Sequence, residues 1–329
     1  MRGLILVVVF PLILTTALAV SAPDEDAQGP SRPLEIIVPF APGGGLDVAT
    51  RILAKYAEPE LGQNIVVSNM TKGGNIEGNL LAMRAEPDGQ VLGAWGSGLA
   101  TDELLIKGVP YTHGDVRPVC LFANDPEVIG VGREFAETNG IRSLADMLAY
   151  AAANPGRVSF GVGGNWTVHD FLRLKIENHA GVKFNRMPFL GGALAARAAA
   201  RGNCDVVVPF LSEILPHLET GRVVPLAVAY EKRLAQIPDI PTTAELGYPE
   251  VTQTIWRVLT LPRDTPQPIL EFLENAFAKA AENPAYIEEA RKRGVNPVFM
   301  GSKDTEAFVQ KEFEYYSGKI AEWGIGVEK

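Results

Sequence analysis

Soft metal ligands are scarce: the 329-residue chain has two cysteines and four histidines. Cys120 and Cys204 are too few for a disulfide scaffold or a cysteine-rich zinc module. His113, His169, His179 and His217 are scattered and form no H-E-x-x-H pair, so no metal site is expected. Basic charge is short as well. Lys and Arg number 30 against 39 Asp and Glu, a net charge of −9, which argues against nucleic-acid binding through a basic face. Catalytic and cofactor signatures are also missing. Gly43-Gly44-Gly45-Leu46-Asp47-Val48 places valine where a dinucleotide fingerprint needs its third glycine. Trp95 stands where a nucleophile elbow centred on Ser97 needs glycine, and no Walker motif occurs. No cofactor is expected.

Long apolar runs are absent except at the start. Met1-Arg2-Gly3 precedes an apolar stretch from Leu4 to Val20, and Ala17-Leu18-Ala19 fits a signal-peptidase site. Ser21-Ala22 offers a second site, disfavoured by Pro23. Residues 1–19 therefore read as a signal peptide cleaved after Ala19, and residues 20–32 as a flexible leader. The rival reading is an uncleaved anchor, for which the run sits at the bottom of the roughly 17–25 residues that span a bilayer. Secretion places Cys120 and Cys204 in an oxidising compartment. They are either a pair or, as their apolar strand-like surroundings suggest, two buried thiols.

What is present is an α/β grammar, long enough to exceed the roughly 250–300 residues of a single core. Leu34–Phe40 reads as a strand, and Ala41-Pro42-Gly43-Gly44-Gly45 turns into a helix striped by Val48, Ile52 and Tyr56. Asn64–Ser68 and Gln90–Gly96 are the next strands, with a helix over 76–86 between them, and this order demands a parallel sheet. The pattern recurs after a crossover at 118–132. Ser143 with Asp146, and Thr167 with Asp170, are spaced as capping boxes. Residues 33–124 with 252–329 are expected to form one lobe and residues 125–251 the other. Helices are expected over 266–283 and 305–323, the second with a core stripe of Val309, Phe313, Tyr316, Ile320 and Trp323.

Glycines follow strand ends and precede helices at 43–45, 96–98, 163–164 and 191–192, and a further pair at 73–74 opens a helix. Such loops let backbone approach a ligand, and the helix N-terminus behind each offers unpaired N–H groups to an anion. Loops of this kind gather beyond the carboxyl ends of the strands. Two facing halves would make an anion-binding cleft that needs few cations. Asp47 has two open readings: a complement to its helix dipole, or a cleft residue that orders the glycine loop or meets the ligand. Thr167 is read as an N-cap first and a ligand contact second. Trp95 and Trp166 border two glycine loops, as core residues or as cleft walls.

The run Ile37-Val38-Pro39-Phe40-Ala41-Pro42-Gly43-Gly44-Gly45-Leu46-Asp47 resembles the opening motif of the tripartite tricarboxylate transporter receptors, the Bug family of periplasmic binding proteins. Gly73-Gly74-Asn75-Ile76, Pro87-Asp88-Gly89, Asn154-Pro155-Gly156, His169, Leu215-Pro216-His217, Ile240-Pro241-Thr242 and Trp256 follow in family order. The resemblance covers about residues 33–325. It implies a two-lobed periplasmic binding-protein fold of the Venus-flytrap type. It also implies a non-enzymatic periplasmic receptor, expected as a monomer, that hands a small carboxylate to membrane permease subunits. Carried over residue by residue, it points to Phe40, Gly43, Gly44 and Asp47 in lobe one, with Ser97 and Gly98 nearby. In lobe two it points to Gly163, Asn165, Thr167 and Gly191. The chain departs from the family at Trp166, at Phe189-Leu190, at Pro209-Phe210, at Arg257-Val258 and in a glycine run one residue short before Asn75. Those departures predict a less polar second lobe and a ligand with an apolar or aromatic body, unless Arg257 points inward. The alternatives are a ligand-presenting sensory module for a membrane kinase, or a secreted α/β hydrolase using Ser97 or Asp47.

Overall fold

A computed structural model describes residues 33–72, 75–164 and 167–325. The expected signal peptide and leader lie outside the described residues, as do Gly73, Gly74, Asn165 and Trp166. The chain opens with β1 (Leu34–Val38), α1 (Gly45–Leu61), β2 (Ile65–Asn69), α2 (Ile76–Met83), β3 (Val91–Trp95) and α3 (Gly98–Leu105). It then runs through β4 (Val116–Pro126) and β5 (Val128–Gly132) into α4 (Arg133–Asn139), α5 (Leu144–Ala153), β6 (Ser159–Val162) and α6 (Val168–Ala180). There follow β7 (Asn185–Pro188), α7 (Gly192–Ala200), β8 (Val206–Val207), α8 (Leu211–Glu219) and β9 (Val223–Val228). It returns through β10 (Thr254–Pro262), α9 (Gln267–Glu282), α10 (Pro284–Lys292), β11 (Pro297–Gly301) and α11 (Ser302–Glu322).

Two sheets result, ordered β11-β4-β10-β3-β1-β2 and β7-β6-β8-β5-β9. β1 is parallel to β2 and β3, as the βαβαβ order requires. Both sheets are nevertheless mixed, not purely parallel. β10 is inserted antiparallel between β3 and β4, and β5 runs antiparallel to β8 and β9. β10 and β11 are strands that sequence reading missed, β10 because Arg257 interrupts its apolar pattern. The chain thus enters the second sheet along β4 and β5, across Glu127, and comes back along β10.

Each sheet is covered on both faces. In the first, α1, α9 and α10 bury Ile36, Leu53 and Phe277 on one side, and Trp95, Trp256 and Val309 pack on the other. In the second, α5 and α6 cover Phe160, and α7 and α8 cover Val207. A further cluster unites Leu105 of α3, Phe171 of α6 and Tyr316 of α11, with Trp323 against them. Burying each of these large side chains stabilises by roughly 1.5–3 kcal/mol, so the two halves share apolar surface beyond their connecting strands. The expected stripe along α11 is used as core, divided between two clusters. Cys120 and Cys204 are free, buried thiols in separate cores, which settles the pairing question against a disulfide. Burial pushes both thiols up, Cys204 to about 11. No helix of the described residues is long and apolar enough to cross a membrane.

Candidate ligand-binding site

The first glycine loop is tied down by Asp47. Its Oδ2 accepts the Gly43 N–H at 2.8 Å, and its Oδ1 accepts Arg51 Nε and Asn69 Nδ2, each at 2.9 Å. Asn69 also donates to the Phe40 carbonyl at 2.9 Å. Gly43 takes φ +81°, a conformation that a side chain disfavours. Asp47 therefore orders the loop, one of its two open readings. Burial alone would raise its pKa, but the donors from Arg51, Gly43 and Asn69 outweigh that and hold it below the usual carboxylate value. Phe40 is 46% exposed at the loop's rim. The first N–H groups of α1 behind Gly44 have no acceptor within the helix.

Ser97 and Gly98 open α3 beside β10, where a Cβ on Gly96 would stand 3.1 Å from Ile255. The Ser97 hydroxyl is buried with no hydrogen-bond partner. Below it, Asp102 accepts Tyr111 Oη at 2.7 Å and Asn75 Nδ2 at 3.0 Å. Desolvation dominates there and lifts the Asp102 pKa to about 6 against those two donors.

In the second half, Gly163 is a point of backbone contact. A Cβ there would lie 2.6 Å from both the Gly192 nitrogen and the His169 ring. Gly191 takes φ +113° to start α7 at that spot. Thr167 is the N-cap of α6, but the expected capping box with Asp170 does not form. The Asp170 carboxylate, which would accept the Thr167 backbone N–H in such a box, is instead drawn to Arg173 at 2.9 Å and to Arg186 at 2.5 Å in charge-assisted contacts. The Thr167 hydroxyl is left buried and unpartnered. Ser143, by contrast, does accept the Asp146 N–H at 3.1 Å. Leu190, expected to wall the pocket, is 94% exposed because it tops the turn before Gly191. Phe210 is buried, tilted on His169 at 4.7 Å between ring centres. Asn165 and Trp166 lie outside the described residues.

The halves meet at Arg257, which does point inward. It is fully buried, pairs with Asp125 at 2.6 Å, donates to the Gly45 carbonyl, and sits 5.7 Å over the Phe210 ring. The position of a Cβ on Gly45 is 2.6 Å from Arg257 and 3.4 Å from Ser212 Oγ, so the starts of α1 and α8 face one another. Ser212 Oγ is also buried and unpartnered. Glu127, on the crossover, is fully buried 3.2 Å from His169 Nδ1, which also contacts the Val208 carbonyl at 2.8 Å. Burial by itself would lower the imidazole pKa, but the Glu127 carboxylate reverses this and raises it to about 9.

Of the predicted residues, the structure joins Phe40, Gly43 and Asp47 around one loop, and Gly163, Thr167 and Gly191 around another. Ser212, Asp125 and Glu127 escaped sequence reading. The turn before α8 has no glycine, and carboxylates on a strand signal nothing without their partners.

Two α/β halves linked by extended crossovers and meeting at Arg257, with glycine loops at helix N-termini in each, have the architecture of a solute-binding protein of the periplasmic type. The chain belongs to the tripartite tricarboxylate transporter family of receptors, whose family model matches residues 49–325. It is 28% identical over 322 residues to protein BugT of Bordetella pertussis, covering 97% of each chain. It is 31% identical over 317 residues to a protein from the TAR-I ttuE-ttuC′ intergenic region of Agrobacterium vitis, covering 95% of this chain and 90% of that one. Among solved structures it is similar to periplasmic binding protein BugD, with TM-score 0.81 and 25% identity over 91% of this chain and 99% of that one. It is also similar to Rpa4515 of R. palustris with adipate, with TM-score 0.82 and 25% identity over 89% and 97%.

Proposed function

We propose that this chain is a periplasmic receptor that captures a small carboxylate between its lobes and passes it to a tripartite tricarboxylate-type permease. The observation that carries the reading is the set of buried, unpartnered hydroxyls of Ser97, Thr167 and Ser212. Ser97 opens α3, Thr167 caps α6 and Ser212 lies in the first turn of α8, and helix N-termini with free hydroxyls hold a carboxylate without a dedicated lysine. The adipate in Rpa4515 supports the same ligand class. Phe210 at the junction favours an apolar or aromatic ligand body, while Arg257 is already committed to Asp125. In this reading residues 33–124 with 252–325 form one lobe, residues 125–251 form the other, and Phe40, Gly43, Gly44, Asp47, Ser97, Gly98, Gly163, Asn165, Thr167 and Gly191 surround the ligand.

The test is mass spectrometry of whatever co-purifies, followed by thermal shift with the identified acid. A ligand at a hundred times its Kd stabilises by about 2.7 kcal/mol and is recovered chemically unchanged. Gly44 has φ −70°, which any residue adopts, and a Cβ there would press on Ala41 O at 3.3 Å, a contact relieved by a shift of a few tenths of an ångström. Gly44→Val should therefore fold and lose the shift. Turnover of the acid, or normal binding by Gly44→Val, would overturn the reading.

A further inference from the structure

Glu213 has no role in the site described so far, yet it occupies the place where a second ligand carboxylate would be expected. It lies in the first turn of α8, and its Oε2 accepts the Phe210 N–H at 3.2 Å. The same carboxylate presses on the start of α7, where a Cβ on Gly192 would overlap Oε2 and stand 3.3 Å from Oε1. Gly192 is in turn against Gly163, whose own Cβ position touches His169. The chain has therefore put one of its own anions at the glycine-lined helix N-terminus of lobe two, where dipole and backbone geometry suit a carboxylate.

The charge around it sharpens the point. No Lys, Arg or His among the described residues forms an ion pair with Glu213, whereas Asp125 has Arg257 and Glu127 has His169. The negative field of Glu213 reaches Asp125, Glu127 and His169. Both Glu127 oxygens, moreover, are buried without a hydrogen-bond partner. The junction thus holds Asp125 paired to Arg257, Glu127 facing His169 with the field of Lys175 also reaching it, and Glu213 with no ion-pair partner among the described residues.

We propose that Glu213 is a specificity-determining residue that restricts this receptor to ligands with a single carboxylate, by filling the lobe-two anion position and repelling a second carboxylate. The inference rests on the receptor reading above and names its substrate class. A ligand presents its carboxylate to the lobe-one loops and an uncharged end, apolar or hydrogen-bond donating, to Glu213. Bringing a second carboxylate beside Glu213 in this partly desolvated region sets like charges against each other, while Arg257 and His169 are already engaged by Asp125 and Glu127.

The experiment compares matched skeletons on the mature, ligand-free protein by isothermal titration calorimetry at pH 7.5. The probes are straight-chain monocarboxylates of three to eight carbons, their α,ω-dicarboxylate counterparts, benzoate and terephthalate. The best monocarboxylate is expected to bind at least tenfold tighter than its dicarboxylate partner, about 1.4 kcal/mol. Glu213→Gln keeps an oxygen for the Phe210 N–H and should bring the pair within threefold, mainly through tighter dicarboxylate binding. Glu213→Ser provides a second neutral variant with the same expectation should the glutamine protein fold poorly. Equal or tighter binding of the dicarboxylate by the unmodified protein overturns the inference and leaves the receptor reading standing. So does an unchanged ratio in folded Glu213→Gln and Glu213→Ser. Binding of no acid in the panel overturns both.

Discussion

Arg257 on β10 and Asp125 on β4 form an ion pair of 2.6 Å between side chains that are both cut off from water. The pair stands where the chain leaves the first sheet and where it returns, so it fastens the two crossovers to each other. Arg257 also reaches the Gly45 carbonyl and covers Phe210, which adds the starts of α1 and α8 to the same fastening.

Removing one partner leaves the other charge buried and alone. Arg257→Met should cost about 3–5 kcal/mol in urea unfolding. Adding Asp125→Asn should recover more than half of that loss, because the amide oxygen still accepts the Asn296 N–H that Asp125 Oδ1 now takes at 2.6 Å. Additive losses in the double variant would mean that the two charges are not coupled.

The legible part of the fold is the part carried by local signals. Glycines at strand ends, apolar periodicity along α1 and α11, and Ser143 as a cap all describe interactions within a few residues. β10 was not legible, since an arginine in mid-strand argues for solvent unless its partner is known. That partner, Asp125, is 132 positions away. Thr167 and Asp170 were misread as a capping box for a related reason. Arg186, on β7, competes for Asp170, and local spacing does not reveal it. The positive-φ turns at Gly43 and Gly191 and the close packing at Gly163 could be read from the glycine runs, but Ser212 and Glu213 could not, because the α8 turn has no glycine to mark it.

His169 makes stability pH-dependent. Its folded pKa of about 9 exceeds the ordinary 6.5, so its contribution is complete below pH 6.5 and is lost as pH rises toward 9. Glu127 faces it from the crossover, Phe210 from the N-cap of α8, Glu213 from the first turn of α8, and the Val208 carbonyl from just after β8. Lys175, lowered to about 8 chiefly by desolvation, gives the opposite slope above pH 8. The clean window is therefore pH 6.5–8, where unfolding free energy should fall by at most about 1.4 kcal/mol per pH unit. In Glu127→Gln that slope should vanish, and a persisting slope would assign it to another group.

Asp102 acts in a separate window. Its folded pKa of about 6 lies above the unfolded 3.8, so the folded state holds a proton that the unfolded chain releases. Stability should accordingly fall as pH rises from about 4 to 6, by about 3 kcal/mol if the shift is fully expressed. Asp102→Asn keeps an oxygen for Tyr111 Oη and Asn75 Nδ2 while removing the buried charge. It should stabilise the protein at pH 7 and flatten the curve between pH 4 and 6. A variant less stable at pH 7 would show that the ionised carboxylate is needed for those two bonds.

In the proposed receptor, Asp47 would couple loop order to ligand capture. Its two oxygens accept three donors, from Gly43, Arg51 and Asn69, and the Gly43 bond fixes the backbone of the loop that the proposed reading sets against the ligand. Asp47→Ala leaves the Asn69 amide with only the Phe40 carbonyl and frees the Gly43 N–H, at a cost of about 1.5–3 kcal/mol for bonds to a charged acceptor. The affinity for the ligand should fall more than tenfold, since the loop would have to be ordered at the moment of binding. Arg51 is half exposed, so Arg51→Ala should cost under about 1 kcal/mol and change binding little. Asp47→Asn should fall between the two. Because the folded Asp47 pKa is lowered, its contribution is present above pH 3.8 and disappears only as pH falls through the folded value. Binding should thus be insensitive to Asp47 titration at neutral pH and fail in strong acid, as followed by ligand-induced thermal shift. Unchanged affinity in Asp47→Ala would separate the first glycine loop from the binding site.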